Sequence, residues 1–426
     1  MNGTLSVETA ALVRHASGRY SDAMACDAIG HYVRHVGAVP DNAWGPMDWV
    51  QKWRTEWAGA CDERVKEAGL ASERFGDVGE TLYQVAANYA DTDIKVASDF
   101  STLQGTPLMP FIDGVKQPPG RVARPGGHLD APARYTGGTY ALNIPDGVPD
   151  AHDLNLLWKD GSIVSEAALP QGADLSKTPQ GLLQAEFLTE GHRMLKRFIS
   201  QWGNELATAE AIVRQWGLAP AESSLELIDQ ANSTWPGVIR NRANLLKHGA
   251  NAYQALRDNL SSQIKDLQQY WSSPGAAGSY VVYAGSLGNY YGSVSDNLRW
   301  LGDEGVKAAV TLDRLQLAFA NLGFEHIKII SAQLQAYNEV AGSLSKSVDK
   351  PLEALANAVT ALTKSLITSW ESAAQKAQTT LSVTEIVIDR APQFSDNNHA
   401  LKQPPASPSN EWRGNGWRPG SRVPTA

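Results

Sequence analysis

Cysteine, excess basic charge and long hydrophobic runs are all scarce in this sequence, and each absence removes a class of protein. The 426 residues include two cysteines, Cys26 and Cys61, which are too few for a disulfide-rich scaffold or a cysteine-based zinc cluster. The net charge is −8, whereas a broad nucleic-acid-binding surface needs an excess of basic side chains. We therefore expect no nucleic-acid partner.

Membrane insertion and conventional secretion also lack their usual sequence signals. No apolar run reaches the ~18–20 residues that a membrane-spanning helix needs. The first residues, MNGTLSVETAALVRHASGRYSDAM, lack the basic segment and pure apolar core of a cleavable signal peptide. We predict no transmembrane segment, and we expect the protein either to stay inside the cell or to leave by a route that reads another signal.

Motifs of catalysis are missing as well. The sequence contains no serine-centred nucleophile elbow, no phosphate-binding glycine loop and no Cys–His signature. Its histidines stand apart or in pairs, without the further ligand that a zinc site requires. The sequence therefore predicts a non-enzymatic protein with no cofactor and no metal site.

Helical periodicity dominates what is present. Apolar residues recur at spacings of three and four over 5–37 and again from Asp48 onward, which is typical of amphipathic helices. The intervening stretch VPDNAWGPMD, at 39–48, is rich in turn-forming residues. Because neither helix can bury its apolar stripe alone, we predict that the two pack as an antiparallel hairpin over residues 1–100.

The rest of the chain divides by composition. Residues 101–180 are dense in Gly, Pro and Asp without a lasting period, which predicts a linker. Helical periodicity returns over 181–390, with a turn at 270–280, a break near Gly323 and several glycines that would permit close helix contact. The predicted fold class is therefore all-α, with an N-terminal hairpin, a Gly/Pro-rich linker and a second bundle of long helices.

The C-terminal residues 391–426 form a tail rich in Pro, Ser and Asn, which we predict to be disordered. Trp412 and Trp417, each followed by arginine, are unusual in such a segment. They either dock on a partner or belong to an irregular tail without a role.

Two short motifs in the hairpin suggest a family. The turn reads AWGPM, with Trp44 directly followed by Gly45, and the second helix reaches ANYADTD, where Tyr89 and Asp93 fit the pattern Tyr-x-x-x-Asp. In this combination the first hundred residues resemble the Trp-Xaa-Gly helical-hairpin proteins exported by type VII (ESX) secretion systems. More narrowly, they resemble the ESX secretion-associated proteins of actinobacteria. Here Gly45 directly follows Trp44, whereas the family's turn has one residue between the tryptophan and the glycine.

The resemblance implies a function in export. The family's export signal is the tyrosine and acid read together with the turn, which here corresponds to Trp44, Gly45, Tyr89 and Asp93. Residues four apart share one helix face, so Tyr89 and Asp93 would form a two-point mark for the secretion ATPase. The resemblance further implies a virulence-associated protein, secreted or held in the cell envelope without a cleavable signal peptide.

The resemblance also implies a partner, either a dedicated chaperone or partner protein or a second copy in a homo-oligomer. It extends loosely to the second helical region. There the stretch WSSPG, with Gly275 four residues after Trp271, is a stretched version of the family's turn.

The two cysteines lie about 18 residues before and after the middle of the first turn, so an antiparallel hairpin would place them opposite each other. A disulfide needs Cα atoms closer than ~7 Å, which helix packing at about 8–10 Å allows only in some cases. Cys26 and Cys61 therefore either form a disulfide or remain as two buried thiols packed as small hydrophobic groups.

Two other functions fit the same sequence. The hairpin could deliver an exported effector whose activity lies in 181–390 and carries no recognisable motif. Alternatively, the protein is a cytoplasmic helical scaffold in which the two motifs coincide by chance.

Overall fold

A computed structural model describes residues 8–104, 189–271, 276–341, 347–378 and 392–407. Its helices are α1 (Thr9–Gly37), α2 (Asp41–Trp44), α3 (Asp48–Gln104), α4 (Glu190–Gln215), α5 (Ser224–Asn232), α6 (Pro236–Tyr270), α7 (Ala276–Ala341) and α8 (Asp349–Gln378), followed by a 3-10 turn at Asn397–His399. The described residues contain no β-strand, which confirms the predicted all-α fold class. No helix among them is both long enough and apolar enough to cross a membrane.

The predicted N-terminal hairpin is formed by α1 and α3, which pack antiparallel along the whole of α1. Its register follows from close approaches between the helices. A Cβ atom at Gly37 would lie 2.7 Å from the sulfur of Cys61, and one at Gly30 would lie 3.0 Å from the Cβ of Ala68. Following this register to the other end of α1 places its first residues beside Tyr89.

The register separates the two cysteines, which corrects the prediction that they face each other. Cys61 lies opposite Gly37, and Gly37 is eleven residues, or about 16 Å of helix, from Cys26. Both thiols are free and buried, and the Cys26 sulfur lies 3.7 Å from the Tyr291 hydroxyl. The prediction failed because helix α2 lies in the connection, so the centre of the hairpin falls near residue 49 instead of 44.

A second antiparallel pair, α6 and α7, packs against the first hairpin, and the helices share one continuous hydrophobic core. The Tyr32 hydroxyl donates to the carbonyl of Leu245 at 3.0 Å, and Phe75 stacks on Tyr291 with ring centroids 4.5 Å apart. The four long helices thus form a single packed bundle. The predicted linker lies outside the described residues, apart from 101–104, which belong to α3.

Helix α7 is 66 residues long, about 99 Å, and its second half packs with α4, α5 and α8. The predicted break near Gly323 was wrong, because α7 continues through this position. A Cβ atom at Gly323 would lie 2.7 Å from the ring of Phe198 in α4. The glycine therefore provides room for a neighbouring helix, as the sequence predicted for other glycines in this region. Gly305 does the same for Trp57.

Part of the tail that was predicted to be disordered is ordered. Residues 392–407, here called the strap, lie along the surface formed by α3 and α7, with Phe394 buried. This finding corrects the prediction for the strap. Residues 408–426, with Trp412 and Trp417, lie outside the described residues.

Candidate functional site

One end of the bundle collects the first residues of α1, the turn between α6 and α7, and Tyr89 of α3. We call it the open end. The backbone N–H of Glu8 donates to the carbonyl of Tyr270 at 2.9 Å, which joins the start of α1 to the end of α6. Tyr89 lies beside this junction by the hairpin register, and its half-buried ring packs against the core.

Asp93, the second member of the predicted mark, lies in α3 one helical turn beyond Tyr89. Its side chain falls outside the described residues. The helical backbone nevertheless keeps the spacing of four residues on which the prediction depends, because residues four apart lie on one face of a helix.

The predicted turn residues Trp44 and Gly45 lie at the opposite end of the hairpin. Helix α3 separates them from Tyr89 by about 60 Å. Trp44 is fully buried, with its ring 6.4 Å from that of Trp57. Gly45 has φ +69° and packs against Thr234, so a side chain there would meet both backbone strain and a neighbour. The two residues build a buried junction and form no surface with Tyr89.

Trp271 is the tryptophan that the structure places at the open end. It caps α6, is almost fully buried and packs 5.9 Å from the ring of Tyr280. Tyr280 in turn contacts His15 of α1. Burial, together with the Arg19 charge, lowers the pKa of His15 to about 3, so its ring is neutral at pH 7. The WSSPG stretch begins at Trp271, but the resemblance assigns the export signal to Trp44, Gly45, Tyr89 and Asp93 and not to Trp271.

The strap is the second candidate site, since buried side chains of the bundle hold its main chain. Phe394 inserts beside Trp57, with ring centroids 5.5 Å apart. The N–H of Gln393 donates to a carboxylate oxygen of Glu304 at 2.8 Å. His399 stacks parallel on Trp300 at 4.3 Å. Two aromatic contacts and one hydrogen bond therefore hold the first half of the strap, residues 393–399.

A buried polar cluster holds the middle of the strap. One carboxylate oxygen of Glu67 accepts the backbone N–H of Lys402 at 2.7 Å and the amide N–H of Asn297 at 2.8 Å. Arg64 donates to the carbonyl of His399 at 3.0 Å, and its Nε lies 3.3 Å from the other Glu67 oxygen. Burial raises the pKa of Glu67 to about 7, against the opposing effects of Arg64 and the hydrogen bonds.

The strap ends further along α3. The Tyr283 hydroxyl donates to the carbonyl of Ala406 at 2.9 Å, and the Ser407 hydroxyl donates to Asp77 at 2.6 Å. From Phe394 beside Trp57 to Ser407 beside Asp77, the strap runs parallel to α3. It therefore leads the chain toward the open end.

An open cleft of about 980 Å³ lies where the strap begins. Four tryptophans line it, namely Trp49, Trp53, Trp300 and Trp370, and the first residues of the strap, including Phe394 and His399, form one wall. Such a surface can bind apolar groups. Among the described residues, no group of three His, Cys, Asp or Glu side chains could hold a metal ion.

The chain matches no known protein family, and no curated protein or solved structure is detectably similar to it.

Proposed function

We propose that this chain is a non-enzymatic substrate or secretion-associated protein of a type VII secretion system, and that its export mark is at the open end. The observation that carries the proposal is the position of Tyr89 and Asp93. They lie one turn apart on α3, where α1 begins and the α6–α7 turn adjoins. A mark at the end of a long bundle is accessible to a docking ATPase without unfolding of the core.

The turn that accompanies this mark is the one at Trp271, not the one at Trp44. Trp271 shares the open end with Tyr89, whereas Trp44 lies about 60 Å away along α3. In this proposal, the secretion machinery recognises Tyr89 and Asp93 together with the WSSPG turn, a role that the resemblance alone would assign to the AWGPM turn. After export, the long helical surfaces would act in the envelope or outside the cell by protein–protein interaction or self-assembly.

The first prediction concerns export. We expect the double variant Tyr89→Ala, Asp93→Ala to remain in the lysate of the native host at normal abundance while the wild type appears in the culture filtrate or envelope. Blots of lysate, envelope and filtrate measure the distribution. A matched control is Gln84→Ala, Asn88→Ala, a polar pair with the same spacing on α3, which should be exported like the wild type.

Substitution of Trp271 and of Trp44 tests which of the two turns belongs to the export mark. Trp271→Phe should reduce export more than Trp44→Phe when both are compared at equal amounts of folded protein, since both side chains are buried. Equal retention of the wild type and the Tyr89, Asp93 variant would remove the export proposal and favour a cytoplasmic helical scaffold.

A further inference from the structure

The groove between α3 and α7 holds the strap mainly by its backbone. Side chains of the two helices bond to the backbone N–H groups of Gln393 and Lys402 and to the carbonyls of His399, Ala400 and Ala406. The strap adds one buried aromatic side chain, Phe394, beside Trp57. Main-chain hydrogen bonds combined with a pocket for a side chain are a common way in which proteins bind extended peptides. The groove therefore has the chemistry of a peptide-binding site.

The side chains that make these bonds belong to α3 and α7, whereas the chain enters the strap from α8. Arg64 and Glu67 lie on α3, and Tyr283, Asn297 and Glu304 lie on α7. Each bond is therefore defined by the groove and by the strap, and it does not depend on which copy of α8 precedes the strap.

The connection between α8 and the strap is long for the distance it has to cover. Trp370 of α8 lines the same cleft as Phe394, and α8 ends about 12 Å beyond Trp370. Residues 379–391 lie between α8 and the strap, and a chain of this length spans up to about 45 Å. Its length therefore does not restrict the strap to the groove of its own chain.

We propose that the groove accepts the strap of a second copy of this chain, so that two copies are joined by exchange of their straps. A second copy carries the same strap, and exchange therefore preserves each hydrogen bond and the Phe394 contact. Reciprocal exchange of an identical element closes a symmetric dimer at low cost. The inference deepens the self-assembly in the proposed function and rests on that function for its biological setting.

The tether sets the conditions for exchange. A strap on its own short connection competes with an effective concentration on the order of 1 mM. Dilute protein is therefore expected to keep its strap in its own groove, and the exchanged form increases with protein concentration. A covalent trap accumulates the exchanged form even where it is a minor population.

The far end of the strap provides that trap, because the Ser407 hydroxyl donates to Asp77 at 2.6 Å. One full-length preparation carries Ser407→Cys and a second carries Asp77→Cys. The two are unfolded, mixed, refolded together under reducing conditions and then oxidised, so that slow exchange cannot hide the result. Both native cysteines are buried. Non-reducing electrophoresis then measures a cross-linked band of twice the chain mass.

We expect this band to exceed that of a matched control by about ten-fold or more, and to increase with protein concentration. The control mixes Ser407→Cys with Gly69→Cys, an exposed position of α3 with no atom within 4 Å of the added Cβ. The double variant Ser407→Cys, Asp77→Cys should form the bond within one chain, which shows that the geometry permits it. Addition of Phe394→Ala to the Ser407→Cys copy should return the mixed band to the control level.

Two results would overturn the proposal. One is a mixed band at the control level while the double variant forms its bond within the chain. The other is a mixed band that Phe394→Ala leaves unchanged, since random collision would then explain it. The cross-linking uses purified protein and does not involve export, so its failure is distinct from failure of the export prediction for the Tyr89, Asp93 variant.

Discussion

At the scale of single residues, Glu67 is a buried carboxyl group that joins three parts of the chain. It receives hydrogen bonds from the strap and from α7, and it lies beside Arg64 of its own helix. Burial raises its pKa to about 7. The folded state therefore favours the protonated form more than the unfolded state does, so the stability that Glu67 contributes is complete below its ordinary pKa and declines as pH rises toward 7.

The second prediction follows from this sign. Relative to Glu67→Gln, which cannot titrate, we expect the free energy of unfolding of the wild type to fall by about 2–3 kcal/mol between pH 5 and pH 8. Denaturant unfolding of both proteins at the two pH values measures the difference. Comparison of the two proteins isolates the contribution of Glu67 to the pH dependence, because other titrating groups such as His15 are present in both. Parallel pH profiles would mean that the pKa of Glu67 is ordinary.

At the scale of elements, α7 is the helix with the most neighbours, since it packs against α3, α4, α5, α6 and α8. Its first half packs on α6 and α3, and its second half packs on α4 and α8. A helix of this length meets neighbours at several crossings, and small residues permit the closest ones. Gly323 beneath Phe198 and Gly305 beneath Trp57 are two such crossings.

The third prediction uses two glycines of the same helix. Gly323→Ala should lower the free energy of unfolding by about 1–3 kcal/mol, since its Cβ would overlap the Phe198 ring. Gly285→Ala, an exposed position with no atom within 4 Å of the added Cβ, should raise it by about 0.5–1 kcal/mol. Guanidinium unfolding of both variants gives the comparison. Stabilisation by Gly323→Ala would contradict the close approach of α4.

At the scale of the whole molecule, the strap connects regions that are far apart in sequence. It crosses from the aromatic cleft near Trp57 to Asp77, held by one buried phenylalanine and several hydrogen bonds. Each such bond contributes only about 0.5–1.5 kcal/mol, whereas a buried phenylalanine contributes about 3–5 kcal/mol. Phe394 is therefore the principal anchor of the strap.

The fourth prediction is that Phe394→Ala releases the strap while the helical bundle stays folded. We expect the backbone amides of Gln393 and Lys402 to lose their protection in hydrogen–deuterium exchange, because the acceptors Glu304 and Glu67 no longer hold them. Gln403→Ala, at an exposed position of the strap, should keep both amides protected. Full protection in the Phe394 variant would show that hydrogen bonds alone hold the strap.

Local features were predicted well. The periodicity over 5–37 corresponds to α1, the pattern from Asp48 corresponds to α3, and the predicted turn at 270–280 contains the gap between α6 and α7. These features depend on the 3.6-residue period and on nearby turn residues. The break near Gly323 failed for the same reason, since propensity alone cannot distinguish a helix end from a packing contact.

The sequence by itself determined that the chain is all-α, that its N-terminus is a helical hairpin, and that Tyr89 and Asp93 stand one turn apart. Each of these depends on neighbours in the chain. Only the tertiary structure decided which residues face each other across the hairpin, which tryptophan lies at the same end of the bundle as Tyr89, and where the strap runs. Those depend on the length of the connection at α2 and on contacts between residues hundreds of positions apart, such as Arg64 with His399, which no local period encodes.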